Sequence, residues 1–225
     1  MAPARISVVI PARDEERTLA RAIGSVAAEA EVIVVDGCSR DRTREVAERL
    51  GVTVLSSPPS RGLQLRVGAE RASGNWLVFL HADTWLEAGW AEALRALGME
   101  VAGGAFRFAI DAPGRGYRLL EKAVALRSAH FRLPYGDQAL FARRAVLDRL
   151  GGIAPVPLME DVDLAQRLRR EGRLALLAPR AFTSPRRWER HGLVGATLRN
   201  GCLLALYAMG VPPARLARLY SGSRP

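Results

Sequence analysis

The sequence has few cysteines and no long apolar run. Cys38 and Cys202 are the only cysteines among 225 residues, so no disulfide framework is predicted and a reducing compartment fits. No stretch of about 20 uncharged apolar residues occurs, which argues against a transmembrane helix. The N-terminal residues lack the pattern of a secretory signal peptide, because the acidic and basic residues 13–16 directly follow a short apolar run. These absences predict a cytoplasmic protein.

Lysine is almost missing, although the chain is strongly basic. The formal net charge is +10, from 33 basic and 23 acidic residues, and Lys122 is the only lysine. Because arginine forms paired hydrogen bonds with phosphates and carboxylates, three partners stay open: nucleic acid, an anionic membrane surface and a phosphorylated substrate. No basic cluster interleaved with aromatic residues occurs, so we expect no nucleic-acid partner.

Two common nucleotide-binding loops are also absent. The first apolar run, residues 6–11, is followed by the letters ARDEER, not by Gly-x-Gly-x-x-Gly or a P-loop. The missing glycines argue against a dinucleotide dehydrogenase and against a Walker-type NTPase.

What the sequence contains is an alternation of short β-branched runs and segments with helical spacing. Its first part predicts a β-α-β-α-β order with short connections, which is typical of a parallel α/β sheet. We expect strands over 6–11, 31–36, 52–55, 77–80, 103–110, 139–141 and 174–177. We expect a first helix from the turn after the first strand to about residue 28, and further helices over 43–50, 61–72, 85–97, 117–130 and 159–171. We also expect a helical tail over 193–219 that is broken at 210–213.

The stretch from Leu77 to Thr84 runs from apolar residues into a polar cluster. We expect a buried strand whose carboxyl end presents His81 and Asp83 on the same side, since alternate side chains of a strand share a face. Ligands of open α/β sheets bind at such ends, and a carboxylate there can hold a divalent cation against phosphate oxygens. The simpler alternative is a strand followed by a solvated turn.

Other acidic residues stand at the ends of predicted elements. Asp36 ends the second strand, where a carboxylate can bind a ribose hydroxyl. Glu160 and Asp161 open a helix, where acidic residues also simply suit the helix dipole. The apolar tail either packs on the sheet or rests on a bilayer surface. We favour packing and keep peripheral membrane contact, at the inner face of the membrane, as the alternative.

Five motifs, in this order, resemble the family 2 glycosyltransferases with the GT-A fold. Residues 6–16 resemble the family's first strand and nucleotide-facing turn, and the letters DGCSRDRT at 36–43 resemble its D-G-S-x-D-x-T segment. The other three are HAD at 81–83, in place of Asp-x-Asp, ED at 160–161, and RRW at 186–188, like the end of Q-x-x-R-W. A small stand-alone subgroup looks similar in carrying L-H-A-D-T, G-D-Q and S-x-R-R-W together.

This resemblance covers residue 5 to about 192 and implies an α/β GT-A fold with a mixed central sheet flanked by helices. It implies a single domain over 1–225, with a nucleotide-binding half (1–100), an acceptor half (101–192) and a helical tail (193–225). The implied activity is hexosyltransferase-like: a nucleotide-diphosphate sugar donates its sugar to an acceptor hydroxyl with inversion at the anomeric carbon.

The resemblance also implies roles for individual residues. Asp161 would be the general base, and Glu160 would orient the acceptor or its loop. Asp83 would hold Mg²⁺ or Mn²⁺, and His191 is a candidate further metal ligand. The implied nucleotide-sugar contacts are Pro11, Arg13, Glu15 and Asp36 at the base and ribose, Arg61, Gln64, Arg186 and Arg187 at the diphosphate, Asp137 and Gln138 at the sugar or acceptor, and Trp188 within the RRW motif.

His81 is the main departure from the family pattern, because it replaces the first aspartate of the usual pair. It could contact the ribose or phosphate, or ligate the metal. Two other functions stay open. One is a nucleotidyltransferase, a class that also uses an α/β sheet and a metal-binding aspartate but normally has a Gly-rich loop after the first strand, and the other is a non-catalytic nucleotide-sugar-binding module that lost metal affinity through His81. His191 and Arg61 could also be plain surface residues.

Overall fold

The structure is a computed structural model that describes residues 4–131 and 134–221, with the backbone alone at 129–131, 191 and 221. Its strands are β1 (Ile6–Ala12), β2 (Glu31–Asp36), β3 (Thr53–Ser56), β4 (Trp76–Phe79), β5 (Thr84–Leu86), β6 (Val101–Ile110), β7 (Leu140–Arg143) and β8 (Arg173–Thr183). Its helices are α1 (Leu19–Gly24), α2 (Thr43–Arg49), α3 (Arg61–Arg71), α4 (Trp90–Arg95), α5 (Arg115–Phe131), α6 (Arg144–Arg149), α7 (Glu160–Glu171), α8 (Arg186–His191), α9 (Leu193–Ala208) and α10 (Pro213–Ser221), with a 3₁₀ turn at Gly136–Gln138.

The strands form one mixed sheet in the order β3-β2-β1-β4-β7-β6-β8-β5. The strands β3, β2, β1 and β4 run parallel to one another, while β7 runs antiparallel to both β4 and β6. Ala12 at the end of β1 lies beside Asp36 at the end of β2, so the carboxyl ends of these strands share one edge. The predicted α/β class, with a mixed sheet flanked by helices, is confirmed.

Helices cover both faces of the sheet because side chains alternate along each strand. Val8 and Ile10 face one side, where they pack with residues of α1, α2 and α4. Val9 faces the other side, where it packs with residues of α3, α6 and α7. In α3, Gly68 lies so close that an added Cβ would come within 2.3 Å of Val9 Cγ1. This close contact brings the first residue of α3, Arg61, near the edge of the sheet.

A third apolar cluster holds the C-terminal helices against the end of β6. Phe108 of β6 meets Trp188 of α8 edge to face, with ring centroids 6.1 Å apart, and Ala196 of α9 is fully buried in the same cluster. Because Trp188 anchors α8, the neighbouring Arg186 and Arg187 are held beside the sheet edge.

The elements next to the predicted site differ from the expectation in three places. The strand that starts at Trp76 ends at Phe79, and a turn follows in which Thr84 N donates to His81 O over 3.0 Å. The expectation that residues 81 and 83 continue this strand was therefore wrong. The first predicted helix is shorter, since α1 ends at Gly24. Residues 85 and 86, which were expected to open a helix, belong to β5 instead.

The C-terminal third also differs from the expectation, while its tail is confirmed. The strand expected over 174–177 extends to Thr183, because β6 and β5 pair with it on either side. Residues 186–191, for which no helix is predicted, form α8. The tail forms α9 and α10, with Leu203 and Leu216 buried. In the part of the chain that the structure describes, no helix combines the length and the apolar character needed to cross a bilayer.

Candidate active site

Two loops at the carboxyl ends of β1 and β2 are tied together by hydrogen bonds. We call them the braced loops, residues 12–18 and 36–43. Their hydrogen bonds run from Asp14 N to Ser39 Oγ (3.0 Å), from Glu15 N to Thr43 Oγ1 (2.7 Å), from Glu16 N to Asp41 Oδ2 (3.1 Å) and from Arg40 N to Asp14 Oδ1 (2.8 Å). Most of the polar letters in the DGCSRDRT segment thus brace the first loop.

The hydrogen bonds between the braced loops offset unfavourable backbone conformations in both of them. Asp14 (φ 55°) and Cys38 (φ 60°) have left-handed backbone, which is unfavourable for residues with a side chain. Partial burial tends to raise the pKa of Asp41, but hydrogen bonds from Thr43 and from the main chain of Glu16 outweigh it and lower that pKa. The loops therefore hold a carboxylate in its ionised form as a structural bracket.

Three of the residues predicted to contact the nucleotide sugar lie in or beside these loops. Pro11 is buried in β1 opposite Val35, and Arg13 is exposed, 3.9 Å from the carboxylate of Asp14. Asp36 is buried at the end of β2, where its Oδ1 accepts a hydrogen bond from Ser39 N. All three share the carboxyl edge of the sheet with the rest of the site.

An ion-paired triad connects the first braced loop with the turn after β4 and with α8. Arg186 Nε and Nη2 lie 3.2 Å and 3.1 Å from Asp83 Oδ2, and Nη2 also contacts the carboxylate of Glu15. Three residues predicted separately from the sequence thus meet in one cluster. Arg186 is positively charged and lies directly beside the predicted metal-binding carboxylate.

A cavity of about 120 Å³ lies next to this triad. Six predicted site residues line it together: Arg61, His81, Asp137, Glu160, Asp161 and Arg187. Apolar and aromatic side chains complete its wall: Tyr135, Leu158, Met159, Val162, Leu203, Leu204 and Tyr220, with Asn200 beside them. The cavity therefore has a charged side and an apolar side, and α9 and α10 contribute to the apolar one.

Asp161 stands in the first turn of α7 with its carboxylate held by main-chain groups. Its Oδ2 accepts a hydrogen bond from Gly136 N at 2.7 Å, and its Oδ1 accepts one from Val162 N at 2.8 Å. A Cβ on Gly136 would lie 2.9 Å from Asp161 Oδ2 and 3.0 Å from His81 Nε2. Gly136 therefore lets the carboxylate and the imidazole approach each other. Met159, at φ 66°, turns the chain just before α7.

The acidic groups of the cavity are incompletely paired. Glu160 is only 2% exposed, and its Oε1 lies 3.3 Å from Arg61 Nη1 without an aligned hydrogen bond. Burial raises the pKa of Glu160, despite the opposing effect of Arg61. Burial also raises the pKa of Asp137, whose Oδ1 has no hydrogen-bond partner among the described residues.

His81 is neutral at pH 7. Burial, together with the positive charge of Arg61, lowers the pKa of His81 from 6.5 to about 4. Perturbed pKa values of this kind, in a cleft, are typical of functional sites.

Three predicted contacts are used inside the fold instead of lining the cavity. Gln64 Nε2 donates to Ala12 O (3.0 Å) and Val35 O (2.7 Å), which ties the ends of β1 and β2 together. Gln138 is 1% exposed and bonds to Ser128 Oγ and Phe106 O, while Trp188 belongs to the third apolar cluster. The side chain of His191 lies outside the described residues.

The carboxylate of Asp83 determines how a divalent cation could be held. Within residues 4–131 and 134–221, no three His, Cys, Asp or Glu side chains gather as a ready-made metal site. Mg²⁺ is often held by one or two carboxylates together with substrate phosphates, and Asp83 beside Arg186 fits that mode. The Asp83 carboxylate therefore fits a divalent cation that binds together with a diphosphate.

Several residues of the cavity were not assigned a role from the sequence. Gly136 belongs to the G-D-Q motif, and this motif was the only available signal for it. Tyr135, Met159, Asn200, Leu204 and Tyr220 carried no signal, because only the return of the C-terminal helices brings most of them to the cavity.

The chain resembles known proteins at two levels, that of the family and that of the fold. A family model described as Glycosyl transferase family 2 matches residues 7–136, which is more than half of the chain. No curated protein matches the chain. The matched segment contains the braced loops, Arg61, His81 and Asp83, and it ends at Gly136.

Three solved structures illustrate the likeness in fold. Staphylococcus aureus TarS 1-349 in complex with UDP is 18% identical, with a TM-score of 0.59, covering 80% of this chain and 61% of that one. Mycobacterium tuberculosis glucosyl-3-phosphoglycerate synthase with Mn²⁺ and UDP-glucose is 24% identical, with a TM-score of 0.55, covering 80% and 70%. The mannosyltransferase PcManGT of Pyrobaculum calidifontis with GDP-Man and Mn²⁺ is 18% identical, with a TM-score of 0.63, covering 99% and 80%. The chain thus spans about three fifths of the TarS fragment.

Proposed function

Because the chain belongs to glycosyl transferase family 2, we propose that it moves a hexose-like sugar from a nucleotide-diphosphate sugar to an acceptor hydroxyl, with inversion at the anomeric carbon. The observation that carries this proposal is the cavity in which the Asp161 carboxylate lies with the cations Arg61 and Arg187. Such a transfer needs both a proton acceptor and positive charge near the leaving diphosphate.

Asp161 is the general base of the proposed reaction. The acceptor hydroxyl loses its proton to the Asp161 carboxylate as its oxygen attacks the anomeric carbon and the bond to the diphosphate breaks. Two main-chain N–H groups fix this carboxylate, and each oxygen keeps a free lone pair for the incoming proton. A base held in position loses little entropy on reaching the transition state.

Positive charge next to the cavity stabilises the leaving nucleoside diphosphate. Arg61 and Arg187 line the cavity itself, and Arg186 lies at its side in the ion-paired triad. Asp83 would hold Mg²⁺ or Mn²⁺, which neutralises charge on the diphosphate when bound. Arg186, which contacts both Asp83 and Glu15, would supply further positive charge to the same diphosphate.

The nucleotide lies outside the cavity, along the braced loops. Ligand pockets usually have volumes of about 300–1,000 Å³, so a cavity of about 120 Å³ takes only the sugar or the acceptor end. Pro11, Arg13, Glu15 and Asp36 then face the base and ribose. Asp137, with a raised pKa and an unpaired Oδ1, meets a sugar or acceptor hydroxyl.

A thermal-shift screen tests the donor half of this proposal. Nucleoside diphosphates and nucleotide sugars are added with and without Mn²⁺, and the melting temperature is recorded. A ligand at about 100 times its Kd stabilises a protein by about 2.7 kcal/mol, so one diphosphate should give a clear, Mn²⁺-dependent shift. Arg187→Ala should reduce that shift, whereas Arg66→Ala, on the exposed surface of α3, should not.

A second measurement, the release of nucleoside diphosphate from the nucleotide sugar that binds, separates a transferase from the other candidate functions. Release of the nucleoside diphosphate from the sugar nucleotide that binds, with transfer to water, indicates a transferase. Binding without any release would favour the non-catalytic module, and no shift with any diphosphate would overturn the proposal.

A further inference from the structure

Exposed large apolar side chains concentrate on three helices. Among the described residues, five of the nine such side chains belong to α5, α9 and α10, and a sixth, Met209, directly follows α9. They are Leu119, Leu126, Val194, Leu198, Met209 and Leu219, and each is more than half exposed. Single exposed leucines are ordinary, but such a concentration on neighbouring helices indicates an interaction surface.

One exposed stripe of α9, continued by Met209 at the end of the helix, is apolar. Val194, Leu198, Ala205 and Met209 are exposed at helical spacing, while Ala196 and Leu203 face the interior. Arg199 is the only charged residue in this helix. A surface helix of a soluble domain normally carries charges on its outer side, so this stripe is suited to an apolar partner.

The exposed side of α5 mixes basic and apolar residues. Arg115, Leu119, Lys122 and Leu126 recur at helical spacing, and all four are exposed. Both α5 and α9 close over the third apolar cluster, through Val124 and Ala196 respectively. The two exposed stripes therefore belong to the same end of the molecule.

Net charge is concentrated at this end as well. Helices α5, α8, α9 and α10 contain ten arginines and lysines but only two acidic residues, Glu121 and Glu189, which leaves a net +8 of the chain's +10. Arg186 and Arg187 face the site, whereas Arg190, Arg215 and Arg218 are exposed. The rest of the chain is therefore almost neutral.

We propose that the outer face of α5, α9 and α10 binds the surface of an anionic lipid bilayer. Exposed leucines enter the boundary between headgroups and acyl chains, while arginine and lysine meet the anionic headgroups. A nucleic acid would match the charge but would leave the leucines in water. A second copy of the chain would bring the same positive charge to the contact and repel it.

This face and the cavity share a helix. Asn200, Leu203 and Leu204 of α9 line the cavity, while Val194 and Leu198 stand on the outside. Bilayer binding then holds the cavity at the membrane surface. The binding itself needs no donor, so it can be tested apart from the proposed function.

Co-sedimentation with vesicles tests the proposal on the full chain. Phosphatidylcholine vesicles are compared with vesicles that also contain phosphatidylglycerol, at low and at high salt, without nucleotide. We expect about tenfold tighter binding to the anionic vesicles, and a loss of that difference in high salt. Leu198→Asp should weaken binding about tenfold, because it places a charge in the apolar stripe.

Met99→Asp is the matched control, since Met99 is 83% exposed but lies just before β6, away from these helices. It should bind vesicles like the parent chain. Circular dichroism checks the fold of both variants, and the diphosphate shift checks their site. Equal binding to neutral and anionic vesicles, or parental binding by a folded Leu198→Asp variant, would overturn the proposal. A dimer that Leu198→Asp dissociates would show instead that a second copy covers this face.

Discussion

The braced loops and the cavity lie at the same edge of the sheet but differ in how completely their polar groups are paired. In the braced loops, the carboxylates of Asp14 and Asp41 accept hydrogen bonds from main-chain N–H groups of the neighbouring segments. In the cavity, buried atoms of Asp137 and Glu160 lack a hydrogen-bond partner within the described residues. Buried polar atoms are normally paired, so the loops keep their shape alone while the cavity is ready for a ligand.

Backbone strain does not separate the two regions. Asp14 and Cys38 have left-handed backbone in the loops, and Ala139 and Met159 have it beside the cavity. The difference lies in what each strained turn presents: the loops present paired groups, and the turn at Met159 presents Glu160 and Asp161 to the cavity. Incomplete pairing of acidic side chains, rather than backbone strain, therefore distinguishes the cavity from the braced loops.

The substitution with the largest expected effect removes the proposed general base, Asp161, from the cavity. Asp161→Asn keeps the size of the side chain but takes up no proton, and loss of a general base typically costs about 10²–10⁴ in rate. Release of nucleoside diphosphate should fall by that factor, while the Mn²⁺-dependent thermal shift stays. Asp163→Asn is the control, because Asp163 pairs with Arg167 on the same helix. A near-parental rate for Asp161→Asn would assign the base elsewhere.

A methyl group placed between Asp161 and His81 should nearly match that effect. In Gly136→Ala the added carbon would lie 2.9 Å from Asp161 Oδ2, so the carboxylate must shift. A displaced catalytic group can cost about 10² in rate, and we expect that loss with little change in melting temperature. Gly24→Ala is the control, since nothing lies within 4 Å of its added carbon. Full activity in Gly136→Ala would mean that the position of the carboxylate is not critical.

The low pKa of His81 predicts how stability depends on pH. The unfolded chain takes up a proton on this residue near pH 6.5, but the folded chain does so only near pH 4. The stability contributed by neutral His81 is complete above pH 6.5 and is lost as the pH falls towards 4, by at most about 3 kcal/mol.

Urea unfolding of the parent chain and of His81→Gln, measured from neutral to acid pH, checks this sign. The raised pKa values of Glu160 and Asp137 act in the opposite direction, because their protonated forms suit the fold better. Both chains contain these two acids, so the difference between the chains isolates His81. Parallel stability curves would refute the prediction.

Gln64 gives the smallest effect and tests the paired side of the comparison. Gln64→Leu removes both hydrogen bonds to the ends of β1 and β2, and an unpaired buried group costs about 1–3 kcal/mol. We expect a lower free energy of unfolding by that amount and an unchanged affinity for the diphosphate. The reverse result would return Gln64 to the diphosphate contact predicted from the sequence.

Much of the first half of the fold could be predicted, because its signals are local. β2 has the predicted bounds, and β1 and α3 agree within one residue, since a β-branched run and a helical stripe are each visible in a short window. β5 could not be predicted, because three residues become a strand only by pairing with β8. The extension of β8 depends on the same nonlocal pairing.

The candidate site was predicted in its chemistry more than in its contacts. The sequence indicated Asp161, Glu160, Arg61 and His81, and these lie together in the cavity. It also indicated Gln138 as a contact to the sugar or acceptor, whereas its amide is used by groups inside the fold. A glutamine whose amide binds a main-chain carbonyl cannot be distinguished in the sequence from one whose amide binds a ligand. Only the direction of the side chain in the folded protein separates the two.

The sequence by itself determined the order of the elements up to β4, the residue types at the strand ends and the family of the chain. These follow from periodicity and from motifs a few residues long. Only the tertiary structure decided which polar groups are paired and which stay open to a ligand. That choice depends on contacts between distant segments, such as Gly136 N with Asp161 and Arg186 with Asp83, which form only when the whole sheet and its helices have packed.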